Sequence, residues 1–223
     1  MKLTPLLAGC LLLLLFSCQR EPNLTLDPTA PPPSADSIPP GSQSGGQTDY
    51  YYTAIIDGTT YKETVTDANG FIPGSGTAGT DDISLSASID PPSPRPANST
   101  SLEVDKGIMH HFLSSTDAEF RKFFAPGSYP YTTGPDGNPF NDGTTDGIYI
   151  YWTDKNGELW STMYGSGKQT GSTFKIISTT DDVDIAGRLY LKVKMQFSCT
   201  LYNKDGQQKS LKNGELVGDF GPK

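Results

Sequence analysis

Cysteine is almost missing from the body of this chain. Three occur in 223 residues, and Cys10 and Cys18 lie near the start, leaving Cys199 alone further on. A structural disulfide has no available pair. Histidine is as scarce: His110-His111 are the only two, and with one thiol they do not supply the ligand spacing of a zinc site. Basic charge is also short. Lys and Arg total 17 against 25 Asp and Glu, a net charge of −8. That balance disfavours nucleic acid and anionic membrane surfaces, which select basic patches. No GxSxG elbow is present, so a serine nucleophile of that type is unsupported. Two glycine-rich runs fall short of nucleotide loops. Gly74-Ser75-Gly76-Thr77-Ala78-Gly79 spells GxGxxG, but it follows Ile72-Pro73 and no helix opens after it, so a flexible loop is expected there. Gly165-Ser166-Gly167-Lys168 has Gln169 where a phosphate loop has Ser or Thr, and a hairpin turn is expected.

Long apolar runs are confined to the amino terminus. Met1-Lys2 gives a positive start, and Leu3 to Phe16 is apolar. That stretch is shorter than the roughly 20 residues a membrane span needs and fits the core of a secretory signal. It closes on Leu15-Phe16-Ser17-Cys18, which resembles the lipobox of bacterial lipoproteins. The resemblance implies cleavage before Cys18 and acylation of it. Leu7-Ala8-Gly9-Cys10 matches the lipobox consensus better. Cleavage there would leave only a few apolar residues in the signal and a greasy mature terminus, so Cys18 is preferred. Residues 1–17 are thus expected to be a lipoprotein signal peptide, with the outer membrane as partner through the lipid. Acyl chains contribute about 0.8 kcal/mol per buried CH₂, so two or three hold firmly.

Residues 18–48 read as a tether. Pro31-Pro32-Pro33 and Pro39-Pro40 precede Gly41-Ser42-Gln43-Ser44-Gly45-Gly46, a composition that buries little apolar surface. At roughly 3.1 Å per residue in extended form it reaches on the order of 90 Å. Asp36-Ser37-Ile38 resembles the Asp-Ser/Thr-aliphatic site of O-glycosylation in Bacteroidota, which makes Ser37 a candidate acceptor.

Residues 49–223 are expected to form one all-β domain, an antiparallel β-sandwich or partly open barrel with one short helix near 116–125. Leu189, Leu191, Val193, Met195, Phe197, Cys199 and Leu201 alternate with mostly polar residues, the period of a half-buried strand. The same period predicts strands at Tyr51–Ile56, Thr59–Val65, Ile83–Ile89, Ile148–Thr153, Glu158–Tyr164, Phe174–Ser178 and Gln208–Leu211, with a closing strand around Leu216–Phe220. Asp57-Gly58 is a hairpin signal. Thr116-Asp117-Ala118-Glu119 is a capping box, after which Phe120, Phe123 and Phe124 share a helical face expected to plug one end of the fold.

Candidate sites are few. Asp142-Gly143-Thr144-Thr145-Asp146-Gly147 is like the first half of an EF-type loop, with Asp142 and Asp146 as calcium candidates. Thr153 stands where the bidentate Glu belongs, so solvated loop carboxylates are the favoured reading. Asp181, Asp182 and Asp184 form a second acidic group. Tyr149 and Tyr151 alternate with Ile148, Ile150 and Trp152, and Trp160 and Tyr164 with Leu159 and Met163. These four aromatics are candidates for a sugar-stacking platform, against the plainer reading that they are cross-strand pairs stabilising a sheet. No cofactor is implied, no catalytic motif is found, and an enzyme is not expected.

Glu119 to Tyr129, the pair Tyr149–Asp154 and Leu159–Ser161 joined through Asn156-Gly157, and Asn213-Gly214-Glu215-Leu216 together resemble small uncharacterised β-rich lipoproteins of the Bacteroidota. The resemblance implies a β fold and envelope location, and carries no activity or functional residues. Gln19-Arg20-Glu21-Pro22 departs from the acidic export run of many surface lipoproteins of that group, leaving surface and periplasmic display both open. The function expected is a noncatalytic binding module for a glycan or protein partner, with a structural or assembly role in the envelope as the alternative and a hydrolase after that. Cys18→Ser should abolish palmitate labelling and globomycin should accumulate a precursor; labelling that survives the substitution would reject the assignment.

Overall fold

The strict alternation that ends at Tyr202 forms the longest strand among the described residues, with neighbours on both sides. The computed structural model describes residues 50–66, 68–132, 147–164 and 167–223. Its strands are β1 (Tyr51–Ile56), β2 (Thr59–Thr64), β3 (Ile72–Gly79), β4 (Ile83–Asp90), β5 (Ser101–Met109), β6 (Gly127–Ser128), β7 (Tyr149–Thr153), β8 (Leu159–Ser161), β9 (Thr173–Val183), β10 (Leu189–Tyr202) and β11 (Gln208–Phe220). A 3-10 turn at Phe112–Ser114 and one helix, α1 (Asp117–Phe123), lie between β5 and β6. The strands make one antiparallel sheet in the order β2-β1-β11-β10-β8-β7-β5-β4-β3, with β9 alongside β10 and β6 beside β9. The sheet curls strongly into a half-barrel, so the expected all-β architecture is the one found.

β10 divides its outer edge. Leu189 to Ser198 pair with β9, and Tyr202 pairs with Ser161 of β8. Its seven alternating apolar residues, Leu189 to Leu201, are all buried, with Tyr52, Ile56, Leu85, Ile89, Val104, Ile150, Trp152 and Leu216 in the same core. Each fully buried aliphatic or aromatic side chain contributes roughly 1.5–3 kcal/mol. The walls meet inside. A Cβ on Gly218 of β11 would stand 3.0 Å from the Cβ of Ala87 in β4, and Ser75 of β3 donates to the Gly221 carbonyl at 2.7 Å. Small residues there allow the curled sheet to close on itself.

The hairpin at Asp57-Gly58 has both residues at positive φ, 47° and 80°, as the tight turn requires. The capping box is formed: Glu119 N–H donates to Thr116 Oγ1 at 3.2 Å, and Thr116 N–H to Glu119 Oε2 at 2.7 Å. Phe120 and Phe124 are fully buried and continue an aromatic chain from Phe112 to Phe220, with centroid spacings of 6.0, 5.3 and 4.6 Å. Phe123 is half-buried, with the Lys106 ammonium 4.2 Å from its ring centroid. The plug is therefore mainly two of the three phenylalanines.

Three expectations change. The GxGxxG run is strand β3, not a loop. Its glycines permit close pairing: a Cβ on Gly74 would lie 2.2 Å from Ser88 Oγ, and one on Gly76 2.5 Å from Ser86 Oγ. Strand β5 has no counterpart among the strands expected from sequence. Its alternation breaks at Lys106-Gly107, where Gly107 takes φ 90° and the register with β4 shifts between Ser84 and Ser86. The last two expected strands are one, β11, bulged where Asn213 takes φ 50° and Gly214 passes beneath the Phe197 ring. Cys18, Ser37, Asp142 and Asp146 lie outside the described residues.

A short strap enters the sheet beside β7: Thr132 N–H donates to the Ile148 carbonyl at 2.9 Å and Ile148 N–H to the Pro130 carbonyl at 2.8 Å. A Cβ on Gly147 would meet the backbone of Thr132 at 2.3 Å. Gly147→Ala should destabilise the fold by about 1–3 kcal/mol, read as a lower denaturation midpoint with an unchanged slope.

Candidate functional site

The curl puts apolar side chains inside and leaves the other face of β4, β5 and β7 polar. Register assembles that outer face. Ser88 of β4 lies opposite Glu103 of β5, which lies opposite Tyr151 of β7. One step along, Asp105 lies opposite Tyr149, and on the other side Ser101 lies opposite Thr153. Beyond β8 the chain turns at Thr162, whose Oγ1 accepts from Ile150 N–H at 3.0 Å, and this turn carries Tyr164 to within 6.5 Å of the Tyr151 ring.

A groove of about 460 Å³ opens between them. Tyr151, Tyr164 and Leu159 form its apolar side, and Asp90, Glu103, Arg95, Ser101 and Thr153 its polar side. Arg95 is anchored on the rim, donating to the Ser99 carbonyl at 2.9 Å, and Ser88 Oγ donates to Asp90. Burial, reinforced by the nearby Asp90 charge and opposed by a hydrogen bond from Ser86, raises the Glu103 carboxyl above its usual range. The groove thus joins two aromatic rings to an acid that holds its proton more readily than usual.

Tyr151 has a rigid support. The Tyr149 ring meets it edge-on at 5.5 Å. The Tyr149 hydroxyl donates to Asp105, and Ser84 Oγ donates to the same carboxylate at 2.6 and 2.7 Å. Gly107 N–H adds a third donor at 2.8 Å, so the β5 bulge and the acid fix each other. Burial still dominates these donors and pushes Asp105 up to about 6.

Of the four sequence-nominated aromatics, Tyr149, Tyr151 and Tyr164 come together. Trp160 does not. It pairs with Trp152 across β7 and β8, one residue out of phase with Tyr151, and is buried in the core with its indole N–H donating to Asp154 at 3.3 Å. The second acidic group is dispersed by ion pairs: Asp181 binds Arg121 at 2.8 Å and Asp184 binds Arg188 at 2.7 Å. Cys199 is buried, and that burial pushes its thiol up to about 12. Asp90, Arg95, Glu103 and Asp105 were not singled out in the sequence. Leu102-Glu103-Val104-Asp105 does alternate, and that was the available signal. A larger depression of about 660 Å³ over β9–β11 is less inviting, because its Glu215 is held by Lys194 and Gln196 at 3.0 Å each.

No protein family, curated protein or solved structure matches this chain.

Because the folded state binds the Asp105 proton more tightly than the unfolded chain, this group's effect on stability is a loss as pH rises from about 4 to about 6. Glu103 acts with the same sign. Asp105→Asn should flatten part of the fall in Tm between pH 4 and 7, measured by thermal melts across that range; an unchanged slope would contradict it.

Proposed function

We propose that this chain is an envelope lipoprotein, held to the outer membrane through Cys18, whose β domain is a noncatalytic module that binds a glycan. The observation that carries the reading is the groove in which Tyr151 and Tyr164 stand beside Glu103, Asp90 and Arg95. A sugar ring has an apolar C–H face and an equatorial fringe of hydroxyls. Tyrosine rings suit the first, and carboxylate and guanidinium groups suit the second. The Asp105–Tyr149 support lowers the ordering cost of binding by holding Tyr151 in place beforehand. The terminal lipobox, the proline-rich tether and the likeness to β-rich lipoproteins of the Bacteroidota support the anchored, outward-reaching arrangement. With Trp160 in the core, the platform is tyrosine alone.

A second reading has its own observation. Asp90 and Glu103 are two acids in one groove, one of them shifted towards protonation, and an acid paired with a carboxylate is the equipment of glycoside hydrolysis. A glycan array with residues 49–223 distinguishes the readings. Binding is expected, with Tyr151→Ala and Tyr164→Ala each about tenfold weaker. Loss of the bound glycan over time, abolished by Glu103→Gln, would favour the hydrolase. An array without hits, together with a protein partner retained by the groove variants, would reject both.

A further inference from the structure

Both histidines of this protein stand against two consecutive aspartates that the sequence places far away. β4 and β5 pair with Ile83 opposite Met109. Asp81-Asp82, just before β4, and His110-His111, just after β5, are therefore neighbours. In an extended chain adjacent side chains point to opposite faces, which would separate the two imidazoles. His111 escapes this by taking a left-handed conformation, φ 54° and ψ 37°. The bend is held by backbone donors: Phe112 N–H to the Asp81 carbonyl at 2.8 Å and His111 N–H to Asp82 Oδ1 at 3.1 Å. As a result His110 Nδ1 lies 3.1 Å from Asp82 Oδ2, and His111 Nδ1 lies 3.2 Å from Asp81 Oδ2. One potential ligand atom from each of Asp81, Asp82 and His111 falls within 4.8 Å of the others.

We propose that Asp81, Asp82 and His111 form a binding site for a divalent transition metal of the zinc type, with His110 beside it on Asp82. Mixed imidazole and carboxylate ligands select zinc, nickel or copper over calcium and magnesium, which favour all-oxygen sets. Two ligands bound at about 2.0–2.1 Å to a tetrahedral ion are roughly 3.3–3.4 Å apart. The His111–Asp81 spacing of 3.2 Å is close to this, so an ion enters there with little movement. Two carboxylates neutralise its charge. All four side chains are half or more exposed, so the ion has direct access. A surface His–Asp pair alone contributes about 1 kcal/mol or less; the convergence of three ligand atoms within 4.8 Å of one another is what makes a ligand set. The site lies at the opposite end of the β4–β5 pair from Asp90 and Ser101, so it is independent of the glycan reading.

Calorimetric titration of the full chain in detergent with zinc chloride should show one saturable equivalent in the micromolar range. The double variant His110→Ala/His111→Ala should bind at least about tenfold more weakly, with a metal-free Tm lowered by no more than a few degrees. A second measurement needs no variant: one equivalent of paramagnetic nickel should broaden the imidazole proton resonances of both histidines before others. Zinc binding that is not saturable below about 1 mM, or equal binding by the double variant, or sharp imidazole signals at one equivalent of nickel, would overturn the site.

Discussion

The strands of the described residues form a single sheet, which has to bury its apolar face against itself, and the rest of this structure depends on that constraint. Eleven strands in one sheet expose far too much apolar surface if flat. Curling turns each strand's apolar residues inward and brings opposite walls together, and this is where residues without bulk are needed, at Gly218 against Ala87. Bulges supply the extra bending. Register shifts occur in β1 between Thr53 and Ile55, in β4–β5 near Gly107, and in β10 at Lys194/Met195 and Phe197/Cys199. α1 and its phenylalanines cover apolar surface that curling alone leaves open.

The same constraint produces the outer surface. Once every second residue faces inward, the residues between them are released for other chemistry. On β4, β5 and β7 these are serines, acids and tyrosines. The Gly107 bulge connects bending to chemistry directly, because its N–H is one of the donors holding Asp105, and Asp105 steadies Tyr149 behind Tyr151. The groove is thus fixed by the backbone that shapes the barrel. At the far end of the same strands, their register brings the aspartates and histidines together.

How much of this is readable from residues varies by element. β10 is legible because its seven inward positions keep period two without a break. The helix is legible because a capping box and three phenylalanines at helical spacing agree. β3 is not, because its glycines have no hydrophobic pattern and are chosen for the close passage of β4. β5 is not, because a bulge shifts the phase and Lys106 occupies an inward position, buried against Phe123 and Tyr129. Missing β5 hid Glu103 and Asp105, and with them half of the groove. Tyr149, Tyr151 and Tyr164 are visible as candidates, whereas Trp160 falls in with them by spacing alone, because side-chain phase across a hairpin depends on register, which spacing does not give. The Asp81-Asp82 and His110-His111 pairing is a contact across a strand pair, invisible to any local pattern.

Cys199 has one more consequence. It sits opposite Leu211 in the middle of the sheet, with the Tyr131 hydroxyl near its sulfur, and it is the one cysteine among the described residues. Its thiol meets a reagent in solution when β10 opens, and opening β10 takes seven buried apolar residues out of the core. The protein therefore contains its own clock for global opening: the speed at which this single sulfur is alkylated measures how often the whole barrel comes apart, with no introduced label.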